Sequence, residues 1–315
     1  MDMQKYKIRG IVFEIILNSD KYKISDLFDE PQPYNLYINY HITKCPKDDT
    51  TNEKIIINDN DSASVKIENG NFLINANVSE LVQKNYNHQF SLFGNKGIIQ
   101  KYILYILETK YNSIIFHGCS LKNEQDEIII GLGGSGSGKS VLINLALQKG
   151  WKLISTEQTI INNDMYIYKG NIFDNVSPLS EELIRENLPR AIILSEKRLI
   201  EPIGQKIFID MSSYQMKNDK IKMNLNKLTI INVDFKGMNE NIMNIEDKDY
   251  LLRLLQISAT EKISFPAIIE NSFIDFPYIG NAKIKNDIIN KLIKSNAKKI
   301  ILSNGFTGFD LFFEK

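Results

Sequence analysis

Gly131 to Ser140 reads GLGGSGSGKS. Within it, Gly133, Gly138, Lys139 and Ser140 fit G-x-x-x-x-G-K-[ST], the pattern of a phosphate-binding P-loop. The residue types suit that chemistry. Glycines let backbone N–H groups turn inward around phosphate oxygens with no Cβ in the way. Lys139 brings a point charge to the β- and γ-phosphates, and the Ser140 hydroxyl can ligate the Mg²⁺ that bridges them. A helix beginning near Lys139 would aim its positive end at the same anion. The expected nucleotide-binding set is Gly133, Gly134, Ser135, Gly136, Ser137, Gly138, Lys139, Ser140 and Val141.

The flanks agree with a strand–loop–helix unit. Ile128-Ile129-Ile130 is an apolar β-branched run. Val141 to Leu147 reads as a largely buried helix, and Lys149-Gly150 as its stop.

Working outward, 315 residues suggest two domains, or one large domain with an appendage. At 43% hydrophobic and 10% aromatic, the chain can bury a substantial core. Basic and acidic residues balance at 38 each, so no global basic field points to nucleic acid. Cys45 and Cys119 form no CxxC or Cys/His cluster, so neither a disulfide framework nor a zinc site is indicated; the two could pair, and two free thiols are the simpler reading. The apolar run Ile11–Leu17 is broken by Glu14 and lacks a cleavage site, so no signal peptide is expected. No apolar stretch is long enough for a membrane span, so the expected location is cytoplasmic.

Residues 1–95 read as a strand-rich N-terminal domain. Tyr6–Leu17 reads as one long strand and Lys54–Ile57 as a short one. Ser64–Ile67 and Phe72–Ile74 flank Asn69-Gly70, the signature of a type I′ hairpin. Pro31–Pro33 and Cys45–Asp49 read as loops, and His41 and His88 stand alone with no ligand partner in sequence.

Residues 96–315 read as the second domain, opened by a helix over Gly97–Thr109 whose apolar residues form one stripe. Ile114–Phe116, Trp151–Ser155, Thr159–Asn162, Met165–Lys169, Ala191–Leu194, Lys206–Ile209, Leu228–Val233 and Lys299–Leu302 read as strands. Ser180–Leu188, Asp247–Ser258 and Lys283–Ser295 read as helices. Strands and helices mixed in this way predict an α/β core.

From His117 onward the order of features resembles the HPr kinase/phosphorylase-like group, which shares a core with phosphoenolpyruvate carboxykinases. The matching pieces are Phe116-His117-Gly118, Ile128–Ile130, Gly134–Ser140, Lys149-Gly150 and Lys152-Leu153-Ile154-Ser155-Thr156-Glu157. They correspond to a strand ending in His, a P-loop, a helix ending in Gly, and a strand ending in an acidic pair. The resemblance is strongest over residues 114–160. It implies transfer of the γ-phosphoryl group of ATP, with Mg²⁺, to a hydroxyl, typically a serine, of a protein, peptide or small molecule. The N-terminal domain would help to choose that acceptor. Members of the group often form homo-oligomers. The resemblance also implies roles: Lys139 on the phosphates, Ser140 and Glu157 on the metal, Glu157 activating the acceptor, and His117 lining the pocket.

The sequence departs from the group at the acidic pair, which falls on Thr156 and Glu157. A threonine cannot accept a proton near neutral pH, so a general base would be Glu157 or another group. Phosphoryl transfer depends more on positioning and charge neutralisation than on a strong base. Two readings therefore stand: a kinase, and a nucleotide-binding regulatory module that does not transfer phosphate. The arginine- and glycine-rich segment of true HPr kinases has no equivalent here, which argues against HPr itself as substrate. A mechanical ATPase is weaker, because no LSGGQ-like stretch is present.

Asp234 follows the apolar run Leu228–Val233, where a second metal ligand would sit. It reads equally as a turn residue. His117 reads equally as a core histidine. Arg185, Arg190, Arg198 and Arg253 are candidate charges for the transferred phosphoryl group, each reading more simply as a solvated surface residue.

Overall fold

The computed structural model describes residues 1–8, 11–27, 42–44, 46, 49–83, 92, 97–134, 136–176, 192–193, 198–200, 204–234, 241–264, 267–269, 272–276 and 280–301. The expected helix Ser180–Leu188, the Pro31–Pro33 loop, His41, His88, Cys45, Ser135, Arg185 and Arg190 lie outside the described residues. Strands and helices mix throughout, as the α/β reading expects. The chain divides into two compact units, Met1–Thr109 with Lys262–Gly280, and Lys110–Glu261 with Asn281–Lys315.

The first unit is built on a sheet in the order Ile42–Lys44, Asp2–Ile8, Ile11–Asn18, Glu53–Asp59, Asn71–Ala76, Ser64–Glu68. The single long strand expected over Tyr6–Leu17 is instead two antiparallel strands, with Ile8 opposite Ile11. Ile11–Asn18 is the buried arm, with Ile11, Val12, Phe13, Ile15 and Leu17 in the core, whereas in Asp2–Ile8 Tyr6 is buried and Met3 is exposed. The Asn69-Gly70 hairpin forms as expected: both residues have positive φ, 50° and 77°, and Glu68 lies opposite Asn71.

The helix Ile98–Thr109 belongs to this unit, whereas the sequence reading opened the second domain with it. The reason is its apolar stripe. Tyr102, fully buried, stacks on Phe72 at 4.3 Å and meets Phe13 edge-on at 6.2 Å. Its hydroxyl donates to the buried carboxylate of Glu53 at 3.2 Å.

The second unit centres on a sheet in the order Lys220–Lys222, Tyr166–Tyr168, Gln158–Asn162, Ser113–Lys122, Ile128–Leu132, Leu228–Asp234, Asn296–Ile301, Asn241–Asn244. Ile128–Leu132, Leu228–Asp234 and Asn296–Ile301 run parallel to one another. Ile128 and Ile130 pack on one face with Leu251, Leu255, Ile288 and Ile289 from the helices Lys248–Ser264 and Ala282–Leu292. Ile129 packs on the other face with Leu142 and Ile143 from the helix Lys139–Gln148. Apolar side chains on both faces explain why Ile128–Leu132 reads as a continuous apolar run.

Ser113–Lys122 extends past the expected end at Phe116 and changes partners midway. His117 lies opposite Gln158, whereas Gly118 lies opposite Leu132. His117 therefore sits inside a strand, not at its end. Lys152–Ser155 pairs with the far half of the same strand. A smaller sheet pairs Phe173–Val176 and Ile192–Ile193 with Gly204–Asp210. Neither Phe173–Val176 nor Lys220–Lys222 was expected from sequence. Both are short strands with no apolar alternation to mark them.

Candidate functional site

The glycine-rich stretch leaves the buried strand Ile128–Leu132 and enters the helix Lys139–Gln148. Gly133 can only be glycine. Its φ is +150°, and a Cβ there would stand 2.5 Å from Ser137 Oγ and 2.6 Å from the Val233 carbonyl oxygen. Gly138 caps the helix in the left-handed region, with φ 101°. The helix ends as read from sequence: the Lys149 and Gly150 amides donate to the Leu145 and Leu147 carbonyls.

Lys139 folds back over the loop. Its ammonium donates to the carbonyls of Gly133 at 2.7 Å and Gly134 at 2.8 Å. Ser140, one residue on, donates through Oγ to Asp174 Oδ1 at 3.1 Å. The Ser137 hydroxyl oxygen is buried and makes no hydrogen bond among the described residues. Gly134 and Gly136 are exposed, and Val141 is half-buried. Beneath the loop, a Cβ on Gly131 would meet Cys119 Sγ at 2.7 Å. Burial pushes the Cys119 thiol up to about 12, with Lys139 and Asp174 close enough to act on it in opposite senses.

Glu157 and His117 come together. His117 Nε2 lies 3.8 Å from Glu157 Oε1, beyond hydrogen-bond length, and the Gly118 amide donates to the Glu157 carbonyl at 2.8 Å. His117 is buried, and its carbonyl accepts from Ser258 Oγ at 3.0 Å, which ties the strand to the helix Lys248–Ser264. The hydroxyl of Thr159 holds the next carbonyl, that of Gly118, at 2.9 Å.

Asp234 ends the strand beside the loop, and the carbonyl of its neighbour Val233 backs onto Gly133. The Asp234 carboxylate faces Lys299 at 3.8 Å. Ser140 thus bonds Asp174, Glu157 faces His117 and Asp234 faces Lys299. Among the described residues, no cluster of three or more His, Cys, Asp or Glu could hold a metal ion by itself.

No protein-family model matches the chain, and no curated protein matches it. No helix among the described residues is long and apolar enough to cross a membrane.

The residue that sequence reasoning missed is Asp174. Nothing in its neighbourhood, Phe173-Asp174-Asn175, carries a motif. It reaches Ser140 through a run of backbone contacts. Gly170 N donates to Ile154 O at 3.0 Å, and Thr156 N to Asn171 O at 2.8 Å. The Thr156 hydroxyl then donates to the Phe173 carbonyl at 2.5 Å. Gly170 permits the close approach, because a Cβ there would lie 2.6 Å from Ser155 Cβ. The segment 170–174 is laid along the end of Lys152–Ser155 and delivers Asp174 to the mouth of the glycine-rich loop.

Proposed function

We propose that this chain is an ATP- and Mg²⁺-dependent kinase of the HPr kinase-like kind, transferring the γ-phosphoryl group to a hydroxyl of a peptide, protein or small molecule. The observation that carries the reading is the loop Gly133–Ser140. It joins a buried strand to a helix, Lys139 lies over its carbonyls, and Ser140 stands beside a carboxylate.

In this reading the loop amides and Lys139 hold the β- and γ-phosphates. The donor oxygens of Ser140 and Asp174 are hard and fit Mg²⁺, which takes few protein ligands and completes its shell from phosphates and water. Bound Mg²⁺ neutralises charge on the phosphates. Glu157 accepts the acceptor hydroxyl's proton on its carboxylate, and His117, buried and 3.8 Å away, lines the pocket beside it.

A second reading is a regulatory module that binds nucleotide without transferring phosphate. The single carboxylate at Thr156-Glu157 favours it.

The experiment is ADP release from ATP and Mg²⁺ by the purified chain, with and without a cleared lysate of the source cells, beside Glu157→Gln. Turnover that needs the lysate and falls about a hundredfold in Glu157→Gln supports a kinase with Glu157 as base. Nucleotide binding with no turnover in either case replaces the kinase with the regulatory module.

A further inference from the structure

The position where the resemblance expects an acid holds Thr156, and the structure shows what that threonine does. Its side chain is buried, and its hydroxyl is committed to the Phe173 carbonyl at 2.5 Å. Its amide takes the Asn171 carbonyl at 2.8 Å. Both bonds hold the segment that carries Asp174. Downstream, Phe173–Val176 is fixed a second time by antiparallel pairing with Gly204–Asp210, in which Asp174 lies opposite Ile209. Asp174 is therefore pinned on both sides, with Oδ1 3.1 Å from Ser140 Oγ.

We propose that Asp174 and Ser140 together are the protein's ligands for the divalent cation of a bound nucleoside triphosphate, and that Thr156 is the positioning residue that holds Asp174 there. The inference rests on the nucleotide-binding reading above and adds the residue that holds its metal-binding carboxylate in place. A loop serine paired with one carboxylate is the minimal protein contribution to a phosphate-bound Mg²⁺. A carboxylate oxygen within hydrogen-bond reach of that serine is close enough to share an ion with it. Asp234, the acid expected from sequence, faces Lys299 instead. The carboxylate beside Ser140 thus comes from the start of the strand Phe173–Val176 and not from the end of Lys152–Ser155. Thr156 supplies a hydrogen bond where an aspartate would supply charge. A carboxylate at position 156 could not donate to the Phe173 carbonyl when ionised, so the two arrangements exclude each other.

The test is calorimetric binding of the non-hydrolysable analogue adenosine 5′-(β,γ-imido)triphosphate to the full chain, in EDTA and across a Mg²⁺ series. In the wild type, Mg²⁺ tightens binding. Asp174→Asn should raise the Mg²⁺ needed for half of that effect by about tenfold or more, while binding in EDTA stays within about threefold. Wild-type Mg²⁺ dependence in Asp174→Asn overturns the proposal and leaves nucleotide binding standing. A wild type that binds no analogue, with or without Mg²⁺, overturns the nucleotide reading and this proposal with it.

Asp174→Cys gives a second readout by metal choice. Cd²⁺ should restore the tightening that Mg²⁺ no longer gives, because a thiolate prefers the softer ion. Equal failure of Cd²⁺ and Mg²⁺ in a folded Asp174→Cys protein counts against ligation. If Asp174→Asn loses its far-ultraviolet circular dichroism, position 156 decides. Thr156→Val should shift the Mg²⁺ midpoint upward and Thr156→Ser should restore it. Coincident Mg²⁺ curves for Thr156→Val and wild type remove the positioning role.

Discussion

The ammonium of Lys139 lies 2.7 Å from the carbonyl oxygen of Gly133, six residues earlier in its own loop. A lysine in solution keeps its charge hydrated. Here two loop carbonyls take the place of water. The contact orders the loop and keeps the charge at its mouth.

Lys139→Ala should weaken nucleotide binding by about a hundredfold or more, since charged hydrogen bonds contribute about 1.5–3 kcal/mol each. Lys139→Arg should fail to restore it, because the broad guanidinium fork cannot sit over the same two carbonyls as a compact ammonium does. Calorimetry with ATP measures both. Full affinity and turnover in Lys139→Ala would remove the loop from the mechanism.

Gly170→Ala should destabilise the chain by about 1–3 kcal/mol, the usual cost of forcing volume into a packed site. The new Cβ would meet Ser155 Cβ at 2.6 Å and the Gln158 carbonyl oxygen at 2.7 Å. The substitution pushes apart the two segments whose bonding places Asp174. A thermal melt gives the first effect. A shifted Mg²⁺ dependence of nucleotide binding gives the second. An unchanged melting temperature would show that the segment relaxes freely.

Cys119 is fully buried, and burial raises its thiol to about 12 from an ordinary 9.0. In a Cys45→Ser background, iodoacetamide at pH 8 should leave the native chain unlabelled and modify it only after denaturation. The sign of the pH dependence follows from the raised value. Below pH 9 the thiol is neutral in both states and its contribution is fully present. Between pH 9 and 12 the unfolded state ionises first, so stability is lost as pH rises, at up to about 1.4 kcal/mol per pH unit. Denaturant melts should show this loss in wild type relative to Cys119→Ala. Parallel pH profiles for the two would place the thiol in contact with water.

Tyr102→Ala should cost the first unit about 3–5 kcal/mol, because the ring is fully buried between Phe72 and Phe13. Tyr102→Phe should cost about 1–3 kcal/mol, through the buried Glu53 carboxylate that loses its hydroxyl donor. Denaturation followed by tyrosine and circular dichroism signals measures both. A cost below 1 kcal/mol for Tyr102→Ala would detach the helix Ile98–Thr109 from this sheet.

Much of the architecture was legible because it is local. The Asn69-Gly70 hairpin follows from two residues that tolerate positive φ, and both adopt it. The helix Ile98–Thr109 follows from a stripe of apolar residues at helical spacing. Its assignment to the second domain failed for a physical reason: periodicity shows that a helix has a face to bury, not which sheet buries it. The single strand over Tyr6–Leu17 failed similarly, since strand character on both sides of a short polar break does not reveal that the chain reverses there.

The sequence by itself determined the glycine-rich loop, the strand and helix that flank it, and the charge and hydroxyl of Lys139 and Ser140. Those features depend on backbone freedom and residue chemistry within about ten positions. Only the tertiary structure decided that Asp174 stands beside Ser140, 34 residues away in the chain. That meeting depends on backbone hydrogen bonds from Gly170 to Ile154 and from Thr156 to Asn171, on the Thr156 hydroxyl bonded to the Phe173 carbonyl, and on a glycine small enough to let the two segments touch. The backbone bonds are made by amides and carbonyls that every residue carries and leave no mark in the order of side chains, and a lone threonine hydroxyl does not announce its distant partner.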